Sequence, residues 1–156
     1  APQPATKVLR SSHRSTAEQA MLHQALYRVL GVDLTAIPTI GVDTALVVTS
    51  EIGPDLSRFP TSQHFCSWLG LAPPTRISGG RQLFGAGPKV LNRAAQALKQ
   101  AASNARNDKS FIGASHRARL LRMDTSCAIK ATAHQIARLI YAMLTKGQPY
   151  VARPLL

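Results

Sequence analysis

Residues 89–105 read KVLNRAAQALKQAASNA, and this alanine-rich stretch sets the expectation for the rest of the fold. Alanine is the strongest helix former, and Pro88 stands directly before the stretch, where proline favours the first turn of a helix. We therefore expect a helix from Lys89 to about Ala105. Its small side chains would let neighbouring helices approach closely: Ala94, Ala95, Ala97, Ala101 and Ala102.

Helical signals continue toward the N-terminus. Ser15 and Glu18 have the spacing of a capping box, in which a hydroxyl and a carboxylate satisfy the first free N–H groups of a helix. That helix should end at Gly31, and a further helix is expected from Val42 to about Glu51. The first of these helices would present an apolar series at helical spacing: Met21, Leu22, Ala25, Leu26, Val29 and Leu30.

Three more helices are expected, one before and two after the alanine-rich stretch. Ser62 can cap a short helix that buries Phe65, Trp68 and Leu69. Asp108 can cap a helix to about Arg122. Either Asp124 or Thr125 can cap a last helix that stops at Gly147.

A glycine-rich loop separates the two helical halves. Residues 70–87 hold five glycines and two prolines, so they should be mostly loop, with short extended pieces around Ile77 and Leu83. No segment shows strong strand alternation. The expected fold class is mainly α, a compact multi-helix domain with this loop as its candidate active-site segment.

The composition narrows the class of protein. The chain has 156 residues, 45% of them hydrophobic, which suits one domain or one domain with an arm. No apolar run approaches the roughly 20 residues that span a membrane. Cys66 and Cys127 are too few for a disulfide framework or a zinc site, so we expect two packed, reduced, cytosolic thiols.

The positive charge is concentrated in the second half of the chain. Residues 1–75 carry five Lys or Arg and five acids, whereas residues 76–146 carry thirteen Lys or Arg against Asp108 and Asp124. A block this basic repels itself unless a polyanion is near, which favours nucleic acid as the partner. The cations chosen as candidate contacts are Arg76, Arg81, Lys89, Arg93, Arg117, Arg119, Arg122 and Lys130. A merely basic, solvated surface is the alternative.

Residues 37–41, IPTIG, resemble the hairpin of a helix-hairpin-helix DNA-binding module. In such a hairpin, backbone N–H groups and the positive end of the following helix contact one phosphate. The usual pattern has glycine where this chain has Thr39, which weakens phosphate contact. A structural turn and a phosphate-binding turn are both open on the sequence.

Ser78 lies between Arg76 and Arg81 and is followed by two glycines. Glycine leaves the backbone beside the hydroxyl uncovered, so a bulky anion could approach it. From these residues alone, Ser78 can be a turn residue, a phosphate ligand or a nucleophile. The seven acids of the chain are scattered and hold no catalytic metal by themselves.

Eight short segments follow one another in the chain: GVDLTAIP at 31–38, SEIG at 50–53, RFPT at 58–61, FCSWLGLAP at 65–73, ISGG at 77–80, NRAA at 92–95, ATAH at 131–134 and ARLIY at 137–141. In this order they resemble the C-terminal half of transposases of the IS110 (insertion sequence one-hundred-and-ten) family. The resemblance covers about residues 25–151.

The resemblance implies a two-part enzyme of which this chain is a fragment. An N-terminal RuvC-like domain, outside this chain, would bind a divalent metal (magnesium), and this fragment would have no cofactor of its own. Ser78 matches the family serine that attacks DNA and forms a phosphoserine link. DNA, a guide (bridge) RNA and further copies of the chain are the expected partners, with no membrane, in the bacterial cytoplasm at the nucleoid.

The expected domain organisation has four parts. Residues 1–14 would be a linker, 15–30 a helical arm able to pair chains, 31–151 the C-terminal transposase domain and 152–156 a tail. Two rival functions are a non-catalytic nucleic-acid-binding module and a helical assembly domain. The isolated fragment is expected to cleave nothing, although Ser78 should be accessible in a pocket lined by Arg76 or Arg81.

Overall fold

The computed structural model of the chain describes residues 15–72 and 92–152, together with the backbone of residues 77–78 and 81–82. This part is mainly helical, as predicted, and none of its helices is long and apolar enough to cross a membrane. Its elements are α1 (Thr16–Leu30), a 3-10 turn (Leu34–Ala36), α2 (Val42–Ile52), α3 (Ser62–Trp68), β1 (Ile77–Ser78), β2 (Arg81–Gln82), α4 (Arg93–Asn104), a 3-10 turn (Ala105–Asn107), α5 (Phe111–Leu120) and α6 (Thr125–Lys146).

Helix α4 is the centre of the described fold, because it packs against both α2 and α6. Its inner face is a stripe of small residues around Leu98, all of them at most 3% exposed: Ala94, Ala95, Ala101, Ala102 and Ala105. The facing part of α6 is also built largely of small buried residues, including Ala133 and Ala137. Alanines on both sides let the helix axes come close.

Helix α4 begins at Arg93 and not at Lys89 as predicted. Asn92 has an extended backbone (φ −98°, ψ 121°), and its side chain accepts a hydrogen bond from the N–H of Ala94 at 2.8 Å. An asparagine with this backbone conformation and this hydrogen bond is an N-cap, so the helix starts at the next residue. Lys89 lies outside the described residues.

Side-chain caps define the other helix ends. The capping box of Ser15 and Glu18 is present, and Gly31 and Gly147 end their helices in the left-handed conformation, all as predicted. Asp124 caps α6. Two predicted caps are wrong by one or two residues, since α3 is capped by Thr61 instead of Ser62 and α5 by Ser110 instead of Asp108. Helix α5 also ends at Leu120, short of Arg122.

The predicted apolar series of α1 is only partly its buried face. Leu26 is buried, but Met21 and Val29 are 73% and 57% exposed. The rotation of α1 follows from His23, whose Nε2 lies 2.9 Å from Oδ1 of Asp33 and 3.0 Å from Oγ1 of Thr35. A buried imidazole needs these partners, so the polar contact turns α1 away from its most apolar face.

An aromatic cluster joins α3 to α6. The ring of Phe65 lies 5.3 Å from that of Phe59 and 5.8 Å from that of Tyr141. The Tyr141 hydroxyl donates a 2.7 Å hydrogen bond to the carbonyl of Phe59, 82 residues away in the chain. The guanidinium of Arg58 stacks on Phe59 and Trp68 from outside. Trp68 is therefore half-buried, not fully buried.

The two cysteines are unpaired thiols in different surroundings. Cys66 is on the buried face of α3, and burial raises the pKa of its thiol to about 11, so it stays protonated at neutral pH. Cys127 is exposed on the first turn of α6, which contradicts the expectation that both thiols are packed.

Thr39 lies in the left-handed backbone region, where glycine is favoured. The N–H of Ile40 donates to the carbonyl of Ile37 at 3.2 Å, which closes a tight turn with Pro38 and Thr39 at its centre. Thr39 has a φ of 73°, and its buried hydroxyl oxygen has no hydrogen-bond partner in the described structure. Ile37 and Ile40 are buried on either side, so the turn is held in place by the core.

We predict that Thr39→Gly stabilises the protein by about 1 kcal/mol. It removes left-handed strain of roughly 1–2 kcal/mol and an unpaired buried hydroxyl, against a backbone-entropy cost of about 0.5–1 kcal/mol. Urea unfolding measures the change. Thr39→Ala is the matched variant, because it removes the hydroxyl but keeps the strain and should gain less. A loss of stability in Thr39→Gly would contradict this account of the turn.

Candidate nucleic-acid interface

Ser78 and Arg81 are partners in a short antiparallel hairpin. Strand β1 pairs with β2 in a register that sets Ile77 opposite Gln82 and Ser78 opposite Arg81. Only Gly79 and Gly80 separate the two strands in the sequence. The second extended piece is therefore at residues 81–82, before the expected position near Leu83. The side chains of Ser78 and Arg81, and the whole of Arg76, lie outside the described residues.

The candidate cations of the described part lie on three helices. Arg93 is the first residue of α4, Arg117 and Arg119 lie in the last turns of α5 with Arg122 just beyond, and Lys130 lies on α6. Arg93 is exposed, and the first turn of α4 has no acid to balance it. Its charge adds to the positive end of the helix dipole, which makes this helix end attractive to an anion.

Arg117 stabilises the corner between α4 and α5. Its Nη1 donates to the carbonyls of Asp108 at 2.6 Å and Arg106 at 3.2 Å. At the same corner, a Cβ on Gly113 would collide with the carbonyl oxygen of Asp108. The guanidinium therefore bonds to two carbonyls at this closely packed corner. Its remaining N–H groups lie on an exposed surface.

Arg119 begins a polar network between α5 and α6. Its Nη1 donates to Oε1 of Gln135 at 2.8 Å and to Oγ1 of Thr132 at 3.0 Å. The same Thr132 oxygen lies 2.7 Å from Nδ1 of His116. Since the threonine oxygen accepts from Arg119, its own proton is available to the imidazole, and His116 accepts it as a neutral ring.

The pKa values of this network follow from burial among arginines. Burial lowers the pKa of His116, and the charge of Arg119 lowers it further. Burial also lowers the pKa of His134, helped by Arg138 and then Arg119. Both imidazoles are therefore neutral at pH 7 and leave the guanidinium groups as the charged members of the surface.

The acids of the chain do not balance these cations. Five of its seven carboxylates accept hydrogen bonds from backbone N–H groups at helix starts or turns: Glu18, Asp33, Asp55, Asp108 and Asp124. Residues 92–152 contain ten Lys or Arg and only Asp108 and Asp124. In the described part, no three His, Cys, Asp or Glu side chains come close enough to hold a metal ion.

The structure groups some candidates and separates others. Arg117, Arg119 and Arg122 share one end of α5, and electrostatic effects link them to each other or to His116. Within residues 15–72 and 92–152, no hydrogen bond or ion pair joins this group to Arg93 or Lys130.

Sequence reasoning missed a cleft between α5 and α6. Its α6 wall comes from residues 131, 134, 135, 138, 139, 141, 142, 145 and 146, and its α5 wall from residues 111, 112, 115 and 119. Both sets have the three- and four-residue spacing of one helix face. The missed signal was the recurrence of Arg138 and Lys146 on the same face of α6 as His134.

Comparison with known proteins identifies the class. A model of the transposase IS116/IS110/IS902 family matches residues 33–112, from the 3-10 turn before α2 to the start of α5. A protein of Streptomyces coelicolor named "Insertion element IS110 uncharacterized 43.6 kDa protein" is 34% identical over 124 residues. That match covers 77% of this chain and 30% of the relative. No solved structure is significantly similar.

These helices are therefore a transposase domain. The chain belongs to the transposase IS116/IS110/IS902 family, which confirms the family expected from the order of short segments. It spans less than a third of the length of the Streptomyces relative.

We predict that the protein loses stability on acidification because His116 resists protonation in the folded state. An unfolded histidine titrates near pH 6.5, and the folded pKa of His116 lies below this value. The free energy of unfolding should be highest above about pH 6.5 and fall as the pH drops toward the folded pKa. His134 contributes with the same sign.

Urea unfolding at about pH 7.5 and pH 5 tests this sign. In His116→Gln, the difference in unfolding free energy between the two pH values should be smaller than in the unmodified chain. Gln63→Ala, a change of a non-titrating side chain at an exposed position on α3, is the control and should keep the original difference. If His116→Gln does not fold, His134→Gln takes its place. An undiminished pH dependence in the variant would contradict the assignment.

Proposed function

We propose that this chain is the DNA-binding part of an insertion-sequence transposase and that Ser78 is its nucleophile. The observation that supports this most is the register of the hairpin, in which Ser78 and Arg81 are partners next to two glycines. A serine, a cation and an uncovered backbone are what the approach of a phosphodiester requires. Arg76 and Lys89 are the further cations proposed to contact the same phosphate.

The proposed reaction exchanges one phosphate ester for another. The Ser78 Oγ forms a bond to phosphorus, the bond from phosphorus to the leaving deoxyribose oxygen breaks, and the serine proton is lost to a base. The leaving oxygen takes up a proton and becomes a free hydroxyl. Because the phosphoserine ester keeps the energy of the phosphodiester, the broken strand can be rejoined without ATP.

The positive side chains near Ser78 would stabilise this transition state. Negative charge builds on the non-bridging oxygens of the phosphorus as the serine attacks. Arg81 is the candidate nearest to Ser78 in the hairpin register, and we assign it this role. Guanidinium groups contact two phosphate oxygens at once, which favours arginine here over lysine.

Activation of the serine is assigned to another part of the complete transposase. A divalent metal held by a RuvC-like domain would lower the proton affinity of the hydroxyl. The residues described here do not fit such a metal, since most of the carboxylates already bond to backbone N–H groups. We therefore propose that this chain alone does not cleave DNA.

DNA is the main proposed partner. A guide RNA and further copies of the chain are the other proposed partners. The eight cations named from the sequence would contact phosphates without reading bases. Residues 15–30 would pair chains. The exposed Met21 and Val29 on α1 support that role, because a helix rarely leaves two large apolar side chains in water without a partner.

We predict that Ser78→Ala in the complete transposase abolishes strand cleavage, by about 10³-fold or more, while its DNA affinity stays within about twofold. The change removes the attacking oxygen but no charge. Cleavage of a labelled substrate and electrophoretic mobility shift measure the two quantities. Ser78→Cys should not restore the full rate, because a thiolate differs in proton affinity and bond length.

Ser67→Ala is the control, since Ser67 is exposed on α3 and should keep both activities. Normal cleavage by Ser78→Ala would show that another residue attacks the phosphorus. Loss of DNA affinity together with cleavage would favour the second candidate function, a non-catalytic phosphate-binding loop. The excess of Lys and Arg over acids in the chain supports that second candidate.

A further inference from the structure

The cleft between α5 and α6 has a volume of about 780 Å³ and is lined by cations, hydroxyls and aromatic rings. Ser62 from the start of α3 and the segment of Tyr150 and Val151 close its sides. Among the described residues that line it, none is an acid. A cleft with cations and no carboxylate has a positive potential that its low-dielectric walls concentrate.

Three permanent charges of the described residues line this space. Arg119 is anchored by Thr132 and Gln135, whereas Arg138 and Lys146 are exposed and make no side-chain hydrogen bond or ion pair with the described residues. Arg138 and Lys146 are eight residues apart on α6, about 12 Å along the helix axis. A flexible single strand can place two of its phosphates against side chains at this separation.

Aromatic rings line the same cleft as these charges. The chain has only eight aromatic residues, and three of them line this one cleft: Phe111, Tyr141 and Tyr150. All three are half-buried, so part of each side chain is in contact with solvent. Cations that follow a backbone, alternating with rings that stack on bases, are what proteins use to bind single strands.

The size of the cleft favours an unpaired strand over a duplex. Pockets of about 300–1,000 Å³ hold one small organic molecule, so a nucleotide base can enter this cleft. A duplex keeps its bases inside and can touch only the rim. Aromatic residues make up only 5% of the whole chain, but three of those in the described part line this cleft.

We propose that the α5–α6 cleft binds single-stranded nucleic acid, with Arg119, Arg138 and Lys146 on the phosphates and Tyr150 against a base. The proposal rests on the nucleic-acid partner of the proposed function but not on Ser78. The unpaired strand has two sources in strand exchange, the DNA strand displaced from its duplex and a loop of a guide RNA. The shared chemistry is a flexible phosphodiester chain with unstacked bases.

Fluorescence anisotropy of the 156-residue chain with labelled 15-nucleotide strands, dT15 and rU15, tests the proposal. The double variant Arg138→Gln/Lys146→Gln should bind about tenfold more weakly at 100 mM salt. The slope of log affinity against log salt should become shallower by about 1.4, or 0.7 for each lost phosphate contact. Arg28→Gln/Lys99→Gln removes the same charge from exposed positions on α1 and α4, and should weaken binding less than threefold.

A second variant tests stacking without a change of charge. Tyr150→Leu keeps an apolar side chain near the end of the described chain and should weaken dT15 binding about fivefold, with an unchanged salt slope. Thermal melting confirms that each variant is folded. A duplex of equal length should respond to the cleft variants no more than to the Arg28/Lys99 control.

The outcomes separate this proposal from the proposed function. Equal loss in the cleft and control double variants, or no loss with Tyr150→Leu, overturns the cleft but leaves nucleic-acid binding in place. Absence of binding to any strand or duplex by the unmodified chain overturns the nucleic-acid partner itself. Tighter binding of dT15 than rU15 indicates displaced DNA, and the reverse indicates guide RNA.

Discussion

The close approach of α4 to α2 and α6 is the constraint on which the rest of the described structure depends. The helices can approach closely because the inner face of α4 consists of alanines that are at most 3% exposed. Helix α6 contributes the buried Ala133 and Ala137. A larger side chain at these positions would have to push two helices apart, which typically costs 1–3 kcal/mol. Of the other described helices, α1 packs against α2, and α3 and α5 pack against α6.

The same close packing of helices explains why the charged side chains of this half lie on the surface. A helix whose inner face is filled by alanine sends its long polar residues outward, so Arg93 and Lys99 are exposed. The two acids of this half accept hydrogen bonds at helix starts. Asp124 caps α6, and Asp108 accepts from the backbone N–H of Ser110, the cap of α5. In the described part of this half, the cations therefore have no carboxylate partner, and a polyanion is the ligand that would compensate them.

Local signals in the sequence predicted much of this fold, while long-range contacts limited the rest. The capping box at Ser15 and the end at Gly147 are local, and both are confirmed. The rotation of α1 depends on His23 meeting Asp33 and Thr35, a contact that no periodicity reveals. The cleft was missed for the same reason, because its two walls belong to different helices. The family was recognised from ordered segments and is confirmed, whereas Ser78 as nucleophile stays a prediction.

The salt dependence of duplex DNA binding by this chain tests the central claim most directly, since that claim is that uncompensated cations make the interface. If six to ten phosphates are contacted, affinity should fall by roughly 10³–10⁵ between 50 and 200 mM salt, with little dependence on base sequence. An affinity that hardly changes over this range would contradict the account. It would mean that the basic half of the domain serves some contact other than a phosphate backbone.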